Sequence, residues 1–343
     1  MTDNRREWYP VMGLVRYALA LGVVYCHVII LCGYDLPSLN LSFYSVGGFF
    51  SISGFLMYPD YMKHHRAGTY VKRRARRILP AYIFIVLLCA LTLWTVSSES
   101  IAAYFADAQL YKYLLWNLCF LNWLEPGLPG VFTSPDHLFT AVNGSLWTMK
   151  VEWCLYLSMP VFVWICRKIR IGHATAAVAI IAFSILYRAF AMALYLKTGN
   201  ELYNILGRQI FGMLSFFYCG VIFYFYRRWI ARHLTPVIVV GMILILLATV
   251  NRVAGYILHP IGITAVVIGL SMTARNLRIG SSKMNVSYEI YLFHWPVIQL
   301  LVPVIKTWSP IGGLAISIAC SALFATGYHF FEKYVIKPHI IRA

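Results

Sequence analysis

The chain has 343 residues, of which 60% are apolar and 12% are charged. Soluble domains carry about 25% charged residues, so this composition excludes an ordinary soluble protein and indicates an integral membrane protein. The formal net charge is +17. Because the basic residues form short clusters between apolar runs, they indicate orientation in a membrane and not binding to nucleic acid.

About ten segments are long and apolar enough to cross a bilayer. They predict an all-α bundle of transmembrane helices that forms a single domain over residues 1–343, without a soluble extension that could form a second domain. The predicted spans lie near residues 11–32, 41–59, 79–97, 144–166, 174–196, 208–226, 234–251, 256–273, 287–305 and 311–332.

Clusters of lysine and arginine alternate along the chain with connections that hold only isolated ones. By the positive-inside rule, the clustered side is cytoplasmic, and the rule places both termini there. The clusters are Arg5/Arg6, residues 63–77, 167–170, 227–232, 275–283 and 333–342.

The longest connection on the outer side covers residues 97–143 and contains several prolines, glycines and aromatic residues. Its middle, residues 111–123, is apolar and aromatic enough for an interfacial helix or a re-entrant segment.

Two ionisable residues, Arg16 and His27, lie within the first apolar segment. Over their separation a helix rises about 16 Å and completes close to three turns, so both side chains lie on one face. Ionisable groups inside a span are costly and are candidates for function. Alternatively, Arg16 reaches the membrane surface and His27 is a hydrogen-bonded packing residue.

A predicted inner loop, residues 60–79, is dense in cations. Five of the six residues from 72 to 77 are Lys or Arg, and Pro80 can open the next helix. Arginine forks bind phosphate in a bidentate manner, which makes the cluster a candidate anion site. Ordinary positive-inside anchoring or binding of anionic lipid headgroups is the alternative.

Two more ionisable residues lie in later spans. Glu152 should reach roughly the depth of His27, where a carboxylate can orient an imidazole or hold its proton. Alternatively, Glu152 forms a structural ion pair with a buried arginine such as Arg188. His294 lies about two turns from the cytoplasmic side, closer in depth to Arg16 than to His27, and we expect it to have a positioning role.

In chain order these residues resemble the acyltransferase-3 family of bacterial membrane O-acyltransferases. The mark of that family is a basic residue, ten positions and then His in the first helix, which Arg16 and His27 match. The later matches are Phe49 to Phe55 in the second helix, Arg73, Arg74, Arg77, Pro80 and Tyr82 in the arginine loop, Ser145 to Trp147 with Glu152 and Tyr156, and Tyr288, Tyr291 and His294. The stretches 130–132 and 142–147 are most similar to members that decorate polysaccharides. Where the family usually has Phe-Tyr, this chain has Leu155-Tyr156.

The resemblance implies transfer of an acyl group, most often acetyl, from cytosolic acyl-CoA to a hydroxyl of a cell-surface carbohydrate. The acceptor would be an O-antigen, capsule or exopolysaccharide unit, lipid-linked or polymerised, and the protein a multi-pass protein of the bacterial inner membrane. The implied roles are catalysis by His27 and Glu152, donor binding by Arg16, Arg73, Arg74 and Arg77, and substrate positioning by Ser53, Trp147, Tyr291 and His294.

Acyl-CoA is expected as a co-substrate, with no metal and no permanently bound cofactor. Whether His27 removes the acceptor's proton or carries the acyl group itself stays open at this point. The alternative function is a proton-coupled transporter or flippase for a glycan precursor, with Arg16, His27 and Glu152 as a relay. That class is expected to show repeated helices and matching broken spans, which the sequence does not suggest.

Overall fold

The computed structural model describes residues 9, 11–273 and 285–336. The described residues are helical apart from turns, connections and one isolated β-bridge between Ser97 and Val131, which confirms the predicted all-α fold. The helices are α1 (Met12–Cys32), α2 (Leu41–His64), α3 (Ala67–Thr92), α4 (Ile101–Ala106), α5 (Ala108–Leu118), α6 (Trp147–Lys168), α7 (His173–Thr198), α8 (Glu201–Leu206), α9 (Ile210–Phe225), α10 (Arg227–Ile230), α11 (Leu234–Leu247), α12 (Arg252–Ser271), α13 (Ser287–Ile305) and α14 (Pro310–Phe331).

Nine helical segments among the described residues are long and apolar enough to cross a bilayer, and each overlaps a predicted span. The remaining predicted span, 234–251, forms the shorter helix α11. Its 14 residues rise about 21 Å, which is less than the ~30 Å of a bilayer core. The helix ends early because Asn251 is extended and caps α12, where its side chain accepts a hydrogen bond from the Ala254 N–H.

The basic segment between the second and third spans is helical, so the prediction of a loop at residues 60–79 was wrong. α2 continues to His64 and α3 begins at Ala67, with a tight turn at His65 between them. Lysine and arginine are good helix formers, a property that a count of apolar residues does not register. Pro80 therefore lies inside α3 and does not open a helix.

The predicted cytoplasmic position of both termini depends partly on residues outside the described ranges. These are Arg5, Arg6, Arg275, Arg278, Lys283, Lys337 and Arg342. Described basic residues do lie in the last turns of α2 and α6, where they also complement the helix dipole. The orientation of the chain in the membrane stays a prediction.

The chain divides into two compact units. The first unit comprises the described parts of residues 1–19, 44–71 and 151–284, and the second unit those of 20–43, 72–150 and 285–343. In the first unit α12 packs against α7, α9 and α11, and α7 packs against α9. In the second unit α13 packs against α14.

Two glycines in the first unit bring the backbones of α2 and α9 into contact. A Cβ atom on Gly54 would lie 1.8 Å from the carbonyl oxygen of Phe217, and one on Gly220 would lie 2.0 Å from that of Ser51. Membrane helices gain little hydrophobic stabilisation from each other, so close packing at small residues stabilises their contacts. The Ser51 hydroxyl also lies 2.8 Å from the hydroxyl of Thr264 on α12.

The long connection of the second unit contains α5 close to the predicted interfacial segment. Tyr113 and Asn117 of α5 are buried, whereas Tyr111 and Leu115 are exposed. The Tyr82 hydroxyl on α3 donates to the Asn117 carbonyl oxygen at 2.6 Å, which joins α5 to α3. The exposed apolar side of α5 is what an interfacial helix requires, and the interfacial position stays a prediction.

We expect Gly54→Ala to destabilise the protein, because the methyl group would meet the backbone of α9 and α2 would have to move. Overpacking of this kind costs about 1–3 kcal/mol. The measurement is thermal unfolding in detergent. Gly327→Ala on α14 is the matched control, since a Cβ there meets nothing within 4 Å and alanine is the better helix former. Equal melting temperatures for the two variants would contradict the close approach of α2 and α9.

Candidate active site

α1 is continuous, so Arg16 and His27 lie on one helix as the sequence predicted. α1 contributes to both units: Arg16 belongs to the first unit and His27 to the second. Both residues are partly exposed.

His27 pairs with the histidine of α13. The Nδ1 atom of His27 lies 2.6 Å from Nε2 of His294, and the two ring planes are nearly parallel, with an interplanar angle of 9°. His294 is fully buried, and its Nδ1 lies 3.2 Å from the carbonyl oxygen of Ile290. Of the two histidines, His27 is therefore the one that a substrate can reach.

The predicted depth of His294, closer to Arg16 than to His27, was wrong. That estimate counted residues from the start of α13 and assumed that the helix begins at the membrane surface. Ser287 and Tyr288, the first residues of α13, are themselves buried. The helix begins inside the protein, so its residues lie deeper than a count from its end indicates.

Trp295 packs beside the histidine pair, with its ring centroid 4.7 Å from that of His27. The indole Nε1 donates to the carbonyl oxygen of Ala141 at 3.0 Å. Room for the indole depends on Gly144, where a Cβ atom would lie 2.6 Å from the ring. The sequence analysis did not select Trp295. A tryptophan directly after a candidate histidine is the signal that could have identified it.

Gln299 is a second residue that the sequence analysis missed, and it lies one turn beyond Trp295 on the same face of α13. Its side chain is fully buried. The amide nitrogen donates to the carbonyl oxygens of Phe139 at 2.7 Å and Ala141 at 3.1 Å, and the amide oxygen lies 3.0 Å from Nδ1 of His137. A buried glutamine in an apolar span must have such partners, because an unpaired amide there is costly. Its presence at 299 was the available signal.

Tyr291 lies one turn before Trp295, and its hydroxyl is 2.7 Å from that of Thr148. The Thr148 hydroxyl also lies 3.0 Å from the Ser145 carbonyl oxygen. A carbonyl can only accept, so Thr148 donates to Ser145 and Tyr291 donates to Thr148. The Asn143 amide donates to the Leu292 carbonyl oxygen at 2.9 Å. These bonds join α13 to the start of α6, and the substrate-positioning role of Tyr291 stays a prediction.

In the first unit the structure brings together Glu152, Ser53 and Tyr156. The Tyr156 hydroxyl donates to Oε1 of Glu152. The Ser53 hydroxyl lies 3.5 Å from the same oxygen and 3.3 Å from the Tyr156 hydroxyl. Arg16 is near enough to Tyr156 to act on it electrostatically. The partly exposed carboxylate of Glu152 thus accepts from two hydroxyls of neighbouring helical residues.

Arg188, the structural partner considered for Glu152, has a different environment. Its guanidinium carbon lies 5.5 Å from the ring centroid of Phe216 and 4.9 Å from that of Tyr256. Such cation–π contacts stabilise a desolvated guanidinium. Among the described residues, the hydrogen-bond partners of Glu152 are Ser53 and Tyr156, not Arg188.

Three of the four predicted donor-binding arginines, Arg73, Arg74 and Arg77, lie on the part of α3 that belongs to the second unit, and the fourth, Arg16, lies on α1 in the first unit. Arg73 and Arg74 are partly buried, whereas Arg77 is exposed. Helical spacing places Arg77 on nearly the same face as Arg73 and within reach of Arg74. Arg76 lies nearly opposite Arg74 around the helix, where it lines an apolar groove with Leu79, Pro80 and Ile83 among others. Trp147, also predicted as a site residue, is the partly buried first residue of α6.

The chain matches known proteins over most of its length. A family model described as an acyltransferase domain matches residues 11–328. The chain is 25% identical to Nodulation protein 10 of Rhizobium leguminosarum bv. viciae over 303 residues, which are 80% of this chain and 79% of that protein. It is 20% identical over 298 residues to an O-acetyl transferase of Shigella phage Sf6, covering 84% of each chain. No solved structure matches the chain.

We expect Glu152→Gln to lower turnover in acyl transfer by about 10²-fold or more, the usual scale of acid–base assistance. Glutamine keeps the oxygen that accepts from Ser53 and Tyr156 but removes the charge. The measurement is kcat in detergent together with the melting temperature. Glu201→Gln, at an exposed glutamate on α8, is the matched control and should keep wild-type kcat. Retained activity with lower stability would assign Glu152 a structural role.

Proposed function

The chain belongs to the acyltransferase-3 family, and on that basis we propose that it moves an acetyl group from acyl-CoA to a hydroxyl of a cell-surface carbohydrate. The family match and the phage relative support an O-acetyltransferase, and the apolar helices make it a multi-pass membrane protein. The acceptor we propose is an O-antigen, capsule or exopolysaccharide unit, and the location the bacterial inner membrane. The chain's similarity to a protein named O-acetyl transferase supports the transfer of an acetyl group to oxygen, and the carbohydrate acceptor is what the family resemblance implies.

The observation that carries the proposal is the environment of His27. The His27 imidazole is partly exposed, one of its ring nitrogens is paired with a buried imidazole, and its other ring nitrogen lies outside that pair. A general base needs this combination of a fixed orientation and an accessible nitrogen.

In the direct route, His27 takes the proton of the acceptor hydroxyl while the hydroxyl oxygen attacks the thioester carbonyl carbon. The carbon–sulfur bond breaks, and the imidazolium gives its proton to the departing CoA thiolate. The products are the O-acetyl ester and CoA thiol, so every atom of the two substrates is accounted for. In the alternative route, His27 carries the acetyl group before the acceptor attacks.

We assign donor binding to Arg73, Arg74 and Arg77 of the second unit; the expected contribution of Arg16, which belongs to the first unit, stays a prediction. Phosphate groups of CoA carry the charge that these guanidinium groups bind best. The helical spacing on α3 supports the assignment, because it places several guanidinium groups at fixed separations along one segment. In the predicted orientation this segment lies at the cytoplasmic side, where acyl-CoA is found.

The proposed function is tested by comparing surface polysaccharide with and without the gene by mass spectrometry. We expect a mass difference of one acetyl group per repeat, restored by the wild-type gene and not by His27→Ala. His233→Ala is the control, since this exposed histidine lies between α10 and α11. A change in the amount of polysaccharide without a change in its mass would favour transport instead.

We expect Arg74→Ala and Arg77→Ala to raise the KM for the donor roughly 10-fold or more with little loss of kcat, because each removes charge-assisted contacts to phosphate. Lysine at either position should restore binding only in part, because an ammonium group cannot form the forked contact. Added salt should weaken wild-type donor binding, because exposed charges are screened within ~10 Å at 0.1 M.

The control for the arginine variants is Arg76→Ala, which removes the same charge from the face of α3 that lines the apolar groove. Its donor KM should match that of the wild type. Plain topological anchoring predicts full rescue by lysine and equal behaviour of all three alanine variants. Unchanged CoA affinity in both Arg74→Ala and Arg77→Ala would exclude these arginines from donor binding.

A further inference from the structure

We propose that His294 fixes the tautomer of His27, so that Nε2 of His27 is the nitrogen that takes the acceptor's proton. The inference rests on the proposed function, to which it adds the reacting atom and the role of His294 as a positioning residue. It follows from counting donors and acceptors along three groups of the second unit: the Ile290 carbonyl, His294 and His27.

The count begins at the buried end. The carbonyl oxygen of Ile290 can only accept, so the hydrogen bond to Nδ1 of His294 requires the proton to be on that nitrogen. A neutral imidazole carries one N–H, which leaves the Nε2 of His294 with a lone pair and no hydrogen. His294 is therefore an acceptor towards His27.

The next step assigns the proton on His27. Its Nδ1 lies 2.6 Å from Nε2 of His294, a separation at which two lone pairs would repel each other. One proton must lie between the two nitrogens, and His27 supplies it from Nδ1. The Nε2 of His27 then has the free lone pair that a general base or an acyl carrier needs.

This assignment differs from the default state of histidine. In water a neutral imidazole side chain favours the proton on Nε2, which would leave the lone pair on Nδ1. Without an acceptor at His294, His27 would return to that tautomer, and the nitrogen directed towards substrate would have no lone pair. Trp295 packs against the His27 ring and helps to hold its plane parallel to that of His294.

Histidine is an unusual choice for the residue that orients a catalytic imidazole, a role that a carboxylate commonly fills. Within the described part of the second unit, neither ring hydrogen-bonds a carboxylate. A neutral imidazole orients His27 without adding a negative charge inside the membrane, where ionised groups are costly. When Nε2 takes the acceptor's proton, the N–H of the His27 imidazolium continues to donate to His294.

The first experiment reads the tautomer directly from 15N chemical shifts of histidine-labelled wild-type protein. The signals of His27 are identified by their loss in His27→Ala. We expect a protonated Nδ1 and an unprotonated Nε2 at a pH where the ring is neutral. A protonated Nε2 on neutral His27 would overturn the inference. Because this readout needs no turnover, it separates the inference from the proposed function: an inactive wild type would refute only the function.

The second experiment uses two variants of His294 with the acyl-transfer assay. His294→Leu removes the acceptor, whereas His294→Gln places an amide oxygen near the position of Nε2. We expect His294→Leu to lower kcat by about 10²-fold while the donor KM stays within about twofold, and we expect His294→Gln to recover at least tenfold of that loss.

A purely structural role of His294 predicts a different pattern, in which both variants lose stability and activity together. Melting temperatures are therefore measured alongside kcat, with His233→Gln as the histidine control. A folded His294→Leu protein with wild-type kcat, or a folded His294→Gln protein no better than it, would overturn the inference. If His294→Leu does not fold, the inference is tested by the tautomer of His27 in the wild type and by the kcat of His294→Gln.

Discussion

Two imidazole rings whose nitrogens lie 2.6 Å apart must share a proton, and this requirement links α1 to α13 in the second unit. Buried polar groups need partners, because water is not there to supply them. His294 satisfies this rule at both of its nitrogens, one through the backbone of its own helix and one through His27. The buried His294 therefore determines which nitrogen of His27 carries a proton and which has a lone pair.

The same rule explains the rest of the polar face of α13. Tyr291, Trp295 and Gln299 repeat every four residues, and each donates to the segment that precedes α6 or to its first turn. Three consecutive turns of one helix thereby determine the path of an otherwise irregular connection. That connection contains Ala141, whose carbonyl oxygen accepts from the indole that packs on His27, so the connection is part of the support of the candidate site.

In the first unit the carboxylate of Glu152 is stabilised by hydroxyl groups. Glu152 accepts from two hydroxyls, those of Ser53 and Tyr156, and hydroxyl donors stabilise a carboxylate without adding a second full charge. Arg188, which the sequence analysis considered as an ion-pair partner of Glu152, lies against two aromatic rings. Both arrangements lower the cost of a charge within the membrane, the first by hydrogen bonds and the second by cation–π contacts.

Sequence alone determined the membrane class, the helical fold, most span positions and the family resemblance, because apolar length and residue spacing are local properties of the chain. It failed where a local pattern was insufficient: the arginine segment was helical despite its charge, and α11 ended early at the cap of α12. The pairing of His27 with His294, 267 positions apart, was decided only by the tertiary structure. The depth of a residue depends on where its helix begins within the protein, and the partner of a buried nitrogen depends on which helices meet there. The spacing of residues along one helix determines neither the depth nor the partner.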